Sequence, residues 1–189
     1  AQILAEGGIP TTTATAASNS SAGKYWWSFD GNDDSLLSGN LGITNACTIV
    51  VAGRVNAIGS YHTLLGENTN GVFFVVTPSG EIEFFKTGGA TLVLSAAGAI
   101  VAGVPFVLTA RLSSGTAVLR KNGVQIATAA TGVSFSAVTG AQIGGAFSGS
   151  FCLGGALGWV VPIAAALSDA ECLTVERLVS SQFPNGPVF

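Results

Sequence analysis

Thr116-Ala-Val-Leu-Arg-Lys-Asn-Gly-Val-Gln-Ile-Ala-Thr-Ala129 is the stretch on which the reading of the fold turns. Two β-prone runs, Thr116 to Lys121 and Val124 to Ala129, meet across Asn122-Gly123. Asn-Gly tolerates the positive φ angles that a two-residue type I′ turn demands, so the stretch predicts a β-hairpin.

The residues downstream complete that reading. Ile143-Gly144-Gly145 is followed by an apolar run from Phe151 to Leu167, and then by Ser168-Asp169-Ala170-Glu171. The last four form a capping box, in which the Ser168 hydroxyl accepts from the Glu171 amide and the Glu171 carboxylate returns to the Ser168 amide; Leu167 can staple against Cys172. Cys172, Val175, Leu178 and Val179 recur at helical spacing and predict one apolar face on a helix that runs to Ser181, ahead of Pro184. One short helix therefore closes an otherwise β-rich chain.

Working back from the hairpin, short β-rich segments alternate with turn residues at intervals of about ten, the signature of a sandwich. Strands are expected near 25–29, 34–38, 47–55, 62–66, 71–77, 80–86, 91–95, 104–112, 115–121, 124–129, 141–145 and 149–161. Asn68-Thr69-Asn70-Gly71, Pro78-Ser79-Gly80 and Ser113-Ser114-Gly115 punctuate them with proper turn chemistry. Residues 1–23 differ in kind. Pro10 to Gly23 has no large apolar side chain whose burial could offset the entropy of ordering it, so 1–23 reads as an extended arm or linker with Ile3, Leu4 and Ile9 as docking anchors, ahead of one domain at 24–189.

Composition narrows the function classes. Charged residues are 9% of the 189, against about 25% in an average soluble domain, and glycine is about twice its normal share at 26. Seven Lys plus Arg and a net charge of -3 leave no cationic footprint for a phosphate backbone, which excludes nucleic acid as a partner. Phe151 to Leu167 is broken by glycines and Pro162 and falls short of the roughly 20 residues needed to cross a bilayer, so no membrane insertion is expected. A surface this poor in charge suits contact with other subunits, as a homo-oligomer or on a larger assembly. Cys47, Cys152 and Cys172 cannot all pair within one chain; buried free thiols are the expectation, with a Cys152–Cys172 bridge the alternative. With His62 the one histidine, no zinc set exists. No Lys/Arg-led apolar segment opens the chain, so no signal peptide is expected.

Four landmarks resemble the laminin-G-like branch of the concanavalin A-like lectin/glucanase superfamily. They are Phe29-Asp30-Gly31 followed by Asp33-Asp34, the strand pair around Lys121-Asn122-Gly123, Ile143-Gly144-Gly145, and Leu167-Ser168-Asp169-Ala170-Glu171. The resemblance spans 25–183 and implies an all-β fold: a jelly-roll sandwich of two antiparallel sheets with one short C-terminal helix. It leaves function open, because the same sandwich serves lectins, glycanases, adhesion modules and virion proteins.

Three chemistries can be tested on the residues present. The related glucanases use a Glu-x-Asp-x-x-Glu strand, whereas here Glu81-Ile82-Glu83-Phe84-Phe85-Lys86 puts Lys86 in place of the acid/base carboxylate. No Asp or Glu occurs between Phe84 and Ser168. That loss argues against an enzyme. Asp30, Asn32, Asp33 and Asp34 offer hard oxygen ligands that would admit Ca²⁺, the one cofactor the chain suggests, but Asp-Gly-Asn-Asp is equally an ordinary turn. Sugar binding would use Tyr25, Trp26, Trp27 or Tyr61 as a stacking platform, with Asn68 for hydroxyls; Trp159, inside the apolar run, is expected in the core. Consecutive Trp26 and Trp27 in a strand must face opposite ways, one into the core and one available.

The expected function is a non-enzymatic structural or adhesive virion protein, a bacteriophage head-decoration or tail component. It would act by contact with capsid or tail proteins and with cell-surface glycans, and be located in the virion. The alternative is a secreted or cell-surface carbohydrate-binding module, located outside the cell; a glycoside hydrolase is the remote third.

Overall fold

The structure is a computed structural model that describes residues 17–21, 24–67, 72–86, 89–132, 140–145 and 151–189. Ile3, Leu4, Ile9 and Asn68 lie outside these residues. The strands are β1 (Ala17–Ser21), β2 (Lys24–Asp30), β3 (Leu36–Ser38), β4 (Cys47–Val55), β5 (His62–Gly66), β6 (Val72–Val76), β7 (Ile82–Lys86), β8 (Ala90–Leu94), β9 (Phe106–Ser113), β10 (Thr116–Lys121), β11 (Val124–Ala130), β12 (Ala141–Ile143) and β13 (Gly154–Ile163), followed by the helix α1 (Asp169–Gln182).

They form two antiparallel sheets. One has seven strands in the order β1-β2-β13-β4-β9-β10-β11, the other six in the order β3-β12-β5-β6-β7-β8. The fold is an all-β jelly-roll sandwich with one C-terminal helix, as the landmarks implied. The expected hairpin is present: Lys121 pairs with Val124 across Asn122 (φ +49°) and Gly123 (φ +83°), the left-handed pair a type I′ turn requires. One boundary differs from the sequence reading. Ala17–Ser21, assigned by composition to the arm, pairs antiparallel with β2 as an edge strand, because backbone hydrogen bonds to a neighbour can order a segment whose side chains could not.

The inward faces of both sheets meet in one core. Ile49, Val51, Leu64, Phe74, Phe84, Phe106, Leu108 and Leu119 are all within 1% of complete burial there, and Trp27 packs against its edge. Burying each such side chain contributes about 1.5–3 kcal/mol, which makes this contact the main stabiliser of the sandwich. The three cysteines are buried thiols, and no Cys152–Cys172 bridge forms. Burial pushes the Cys47 thiol up to about 12.

The helix covers the outer face of the seven-stranded sheet. Val179 and Phe183 pack onto Val50, Ala52, Val107 and Ala156, with Trp26 and Trp159 at the margin. Its capping box forms as expected, the Glu171 amide donating to Ser168 Oγ at 3.3 Å and the Ser168 amide to Glu171 Oε2 at 2.7 Å. Its buried face keeps Cys172 and Val179 and packs Val175, as expected, but not Leu178. Cys172, Glu176, Val179 and Ser180 are buried while Leu178 is 63% exposed, so a carboxylate occupies the centre of the contact. The partners of Glu176 explain the phase: Arg120 Nε donates to Oε1 at 2.8 Å and Thr109 Oγ1 donates to the same oxygen at 2.7 Å, both from the sheet. A buried charge costs too much to strand, and it rotates the helix toward its partners in preference to Leu178. Among the described residues no helix is long and apolar enough to cross a membrane.

Candidate functional site

The six-stranded sheet leaves its outer face free of the helix, and strand alternation dictates what that face carries. On β6, Val72, Phe74 and Val76 enter the core, which turns Phe73 and Val75 outward. Cross-strand partners share a side. Thr63 therefore lies outward beside Val75, Gly66 beside Phe73, Gln142 beside Gly66, Glu83 beside Val75 and Thr91 beside Phe85. The rings of Phe73 and Phe85 stack at 4.9 Å, and Phe73 leans over Gly66 so closely that a Cβ there would meet it at 2.7 Å.

Among the described residues, two polar atoms on this face lack a partner. Thr63 Oγ1 and Gln142 Oε1 are buried and accept or donate no hydrogen bond, although Thr63 is fully buried and Gln142 only 8% exposed. Such atoms carry a desolvation cost of about 1–3 kcal/mol each unless water or a ligand satisfies them. Both flank Gly66 under the Phe73 ring: Gln142 stands opposite Gly66, and Thr63 Cγ2 would be 3.1 Å from a Cβ placed there.

An aromatic pair stands at one end of the face. His62 is turned inward, accepting from the Gly154 amide at Nδ1 (3.2 Å) and meeting the Ala57 carbonyl through Nε2 (2.9 Å), so Tyr61 and Thr63 on either side of it face the other way. Tyr61 meets Phe151 edge-to-face at 5.0 Å, and the Thr63 amide donates to the Phe151 carbonyl at 2.9 Å. Both rings are open to solvent, at 38% and 52% exposure, and Phe151 is held at φ +60°, a left-handed conformation unusual for an aromatic residue. Burial lowers the His62 pKa, favouring the neutral ring.

The acidic loop adjoins this end. Gly154 pairs with Asp30 on the strand side while bonding to His62, and Asp30, Asp33 and Asp34 bring carboxylate oxygens within 4.8 Å of one another. The geometry is that of an Asx turn: Asp30 Oδ1 accepts from the Asn32 amide (2.7 Å), Oδ2 from the Asn32 side chain (3.0 Å), and Asp34 Oδ2 from the Asp30 amide (2.9 Å). The two Asn32 bonds, the backbone amide first, hold the Asp30 carboxyl below its usual range. The oxygens suit a hard cation, but the turn already employs several of their lone pairs.

The residues singled out in the sequence are thus divided. Tyr61 and the acidic loop lie at one end of the sandwich. Tyr25 is 61% exposed near the opposite end of β2, roughly 17 Å of strand from Asp30. Trp26 packs under the helix and Trp27 against the core, so neither is the freely available ring that alternation promised; Trp159 also packs toward the helix and not between the sheets. Glu81 and Glu83 share a face as expected, but each is held by a threonine, Thr77 Oγ1 to Glu81 Oε2 at 2.9 Å and Thr91 Oγ1 to Glu83 Oε1 at 2.7 Å. Sequence reading missed Thr63, Phe73, Phe85, Gln142 and Phe151. A signal existed in Phe73-Phe74 and Phe84-Phe85, since two adjacent aromatics on a strand cannot both enter one core.

A separate concavity of about 590 Å³ lies where the helix start meets β9 and β10, lined by Ser113, Thr116, Leu167 and Arg111. Its guanidinium is committed to Asp169 at 2.7 Å and to the Leu167 carbonyl at 2.8 Å.

No family model matches the chain, and no curated protein does. Solved structures do. The CBM40 carbohydrate-binding module of the Ruminococcus gnavus IT-sialidase, bound to α2,3-sialyllactose, is 18% identical with TM-score 0.60, covering 80% of this chain and 97% of that one. The fold is one that carbohydrate-binding modules use. Domain 4 of an extracellular arabinanase from Geobacillus stearothermophilus, in complex with arabinotriose, is 14% identical with TM-score 0.66, covering 89% of this chain and 84% of that one. Trypanosoma rangeli sialidase in complex with sialic acid is 12% identical with TM-score 0.64; the match covers 88% of this chain and 29% of that larger protein. At these identities the likeness concerns the fold.

Proposed function

We propose that this chain is a non-catalytic carbohydrate-binding module, acting outside the cell, with its glycan site on the outer face of the six-stranded sheet. The observation that carries the reading is the solvent-open, edge-to-face Tyr61–Phe151 pair at the end of this face. Sugar rings stack on aromatic faces, and the Tyr61 hydroxyl can both donate to and accept from theirs, so this pair matches their chemistry. The named neighbours include two carbohydrate-bound domains of matching extent, which favours glycan contact over the virion role expected from composition. Absence of turnover is supported by the sequence, which has no carboxylate between Phe84 and Ser168, and by Thr77 and Thr91, which hold Glu81 and Glu83.

A glycan array probed with the intact chain tests the proposal. Retention on a defined set of glycans is expected, and Tyr61→Ala with Phe151→Ala should weaken it at least tenfold while the circular dichroism spectrum stays the same. Binding untouched by that double substitution would remove the site, and hydrolysis of the retained glycan would remove the non-catalytic reading.

A further inference from the structure

We propose that this face recognises uncharged glycans through their hydroxyls and does not read a sugar carboxylate, sulfate or phosphate; the inference rests on the glycan-binding reading above. An anionic sugar held in a partly desolvated site calls for a cation, most often a guanidinium in bidentate contact. The seven Lys and Arg of the chain can all be located, because residues 1–23, 68–71, 87–88, 133–139 and 146–150 contain neither.

None of the seven serves this face. Arg111 and Arg120 are bound to Asp169 and Glu176 beneath the helix, and Arg177 Nε donates to the Phe189 carbonyl. Lys24 Nζ donates to the Phe183 carbonyl at 3.3 Å, on the helix side. Lys121 Nζ donates to the Ala99 carbonyl at 2.5 Å. Arg54 alternates with core-facing Val55 and so lies on the outer face of the opposite sheet. Lys86 is the nearest in sequence to the site, but it pairs with Val72, a core residue, and therefore leaves β7 on the side away from Phe85.

What the face does offer is neutral or negative. Its solvent-open groups are Tyr61 and Phe151, whose rings offer a stacking surface, and the Tyr61 hydroxyl can donate and accept, which suits a sugar hydroxyl that does both. Thr63 Oγ1 and Gln142 Oε1 are buried out of a ligand's reach. At the mouth, Asp30, Asp33 and Asp34 oppose the approach of an anion, as does a net charge of -3. The chemistry thus departs from that of the structural neighbours bound to sialyllactose or sialic acid.

The test is calorimetry and array binding with the intact chain, using matched panels of neutral oligosaccharides and of sialylated and sulfated ones, at about 0.05 and 0.5 M NaCl. Neutral glycans alone should be retained, with affinity changing less than about twofold between the two salts. Tyr61→Phe, which removes an exposed hydroxyl and keeps the ring, should lower that affinity about tenfold without lowering the unfolding midpoint. Preference for anionic glycans, or affinity that collapses in high salt, would overturn this inference and leave the glycan-binding reading in place. Neutral glycans bound equally by wild type and by Tyr61→Phe would mean that sugar hydroxyls are not read here, and the inference falls. Retention of no glycan from either panel would take down both proposals together.

Discussion

Replacing Glu176 by alanine removes the one carboxylate that the helix buries against the sheet. Glu176 is 1% exposed and Arg120 5%, with Oε1 accepting from Arg120 Nε at 2.8 Å and from Thr109 Oγ1 at 2.7 Å. The Glu176 carboxylate holds the Arg120 guanidinium above its already high pKa, so the arginine stays charged when its partner is lost. Breaking one side of a buried pair costs about 3–5 kcal/mol when the other charge is left uncompensated. Here the exposed Asp169 carboxylate, 3.7 Å from Arg120 Nη1, offsets part of that loss, so a cost near the lower end, about 3 kcal/mol, is expected. At about 2–4 °C per kcal/mol for a domain of this size, the thermal midpoint should drop by roughly 6–12 °C. Glu176→Gln keeps an acceptor for Thr109 and should cost less, about 1–3 kcal/mol. Joint replacement of Arg120 and Glu176 by methionine should recover most of the alanine loss, because both desolvated charges go together. Urea unfolding with a common m-value measures all three. A Glu176→Ala cost below about 1 kcal/mol would mean that the helix does not dock in this phase, and the account of its rotation would be wrong.

Three further outcomes are expected. His62 is buried with its pKa below the usual 6.5, so above that pH the native and unfolded states carry the same charge there; as pH falls below 6.5 the unfolded state takes up a proton the native ring resists. Stability should therefore decline on acidification with a slope of at most about 1.4 kcal/mol per pH unit, and His62→Gln should flatten that slope in a pH series of unfolding curves. Gly144→Ala places a methyl 2.2 Å from the Phe29 ring at φ +81° and should cost about 2–4 kcal/mol by denaturant titration; a neutral result would show that the Ile143-Gly144-Gly145 corner is not as tight as described. Ser168→Ala should cost about 1 kcal/mol at neutral pH. The Ser168 bonds hold the Glu171 carboxyl below its usual 4.5, so their contribution is present above that pH and is lost as pH falls through the lower folded value; the variant should lose part of the acid limb of the stability profile.

Local chemistry made much of the fold legible. Asn122-Gly123 encodes its own turn, Ser168 to Glu171 their own cap, and strand alternation specifies which side chains of β6 and β7 must leave the core; each depends on residues only a few positions apart. The site was less legible. Tyr61 and the acidic loop were visible as residue types, but Thr63, Gln142 and Phe151 are unremarkable in sequence and acquire meaning through pairings across 76 and 88 positions, Gln142 with Gly66 and the Thr63 amide with the Phe151 carbonyl.

By itself the sequence determined an all-β sandwich closed by a capped helix, poor in charge and with every cation countable, because periodicity, turn chemistry and composition are properties of neighbouring residues or of the chain as a whole. Only the tertiary structure decided which helix residues meet the sheet, that Trp26 and Trp27 each pack partly against a different hydrophobic cluster, and that two unpartnered polar atoms share one sheet face with an open aromatic pair. Those outcomes depend on which distant strands lie side by side, and a buried charge or an orphaned hydroxyl takes its energy from neighbours that the local chain does not contain.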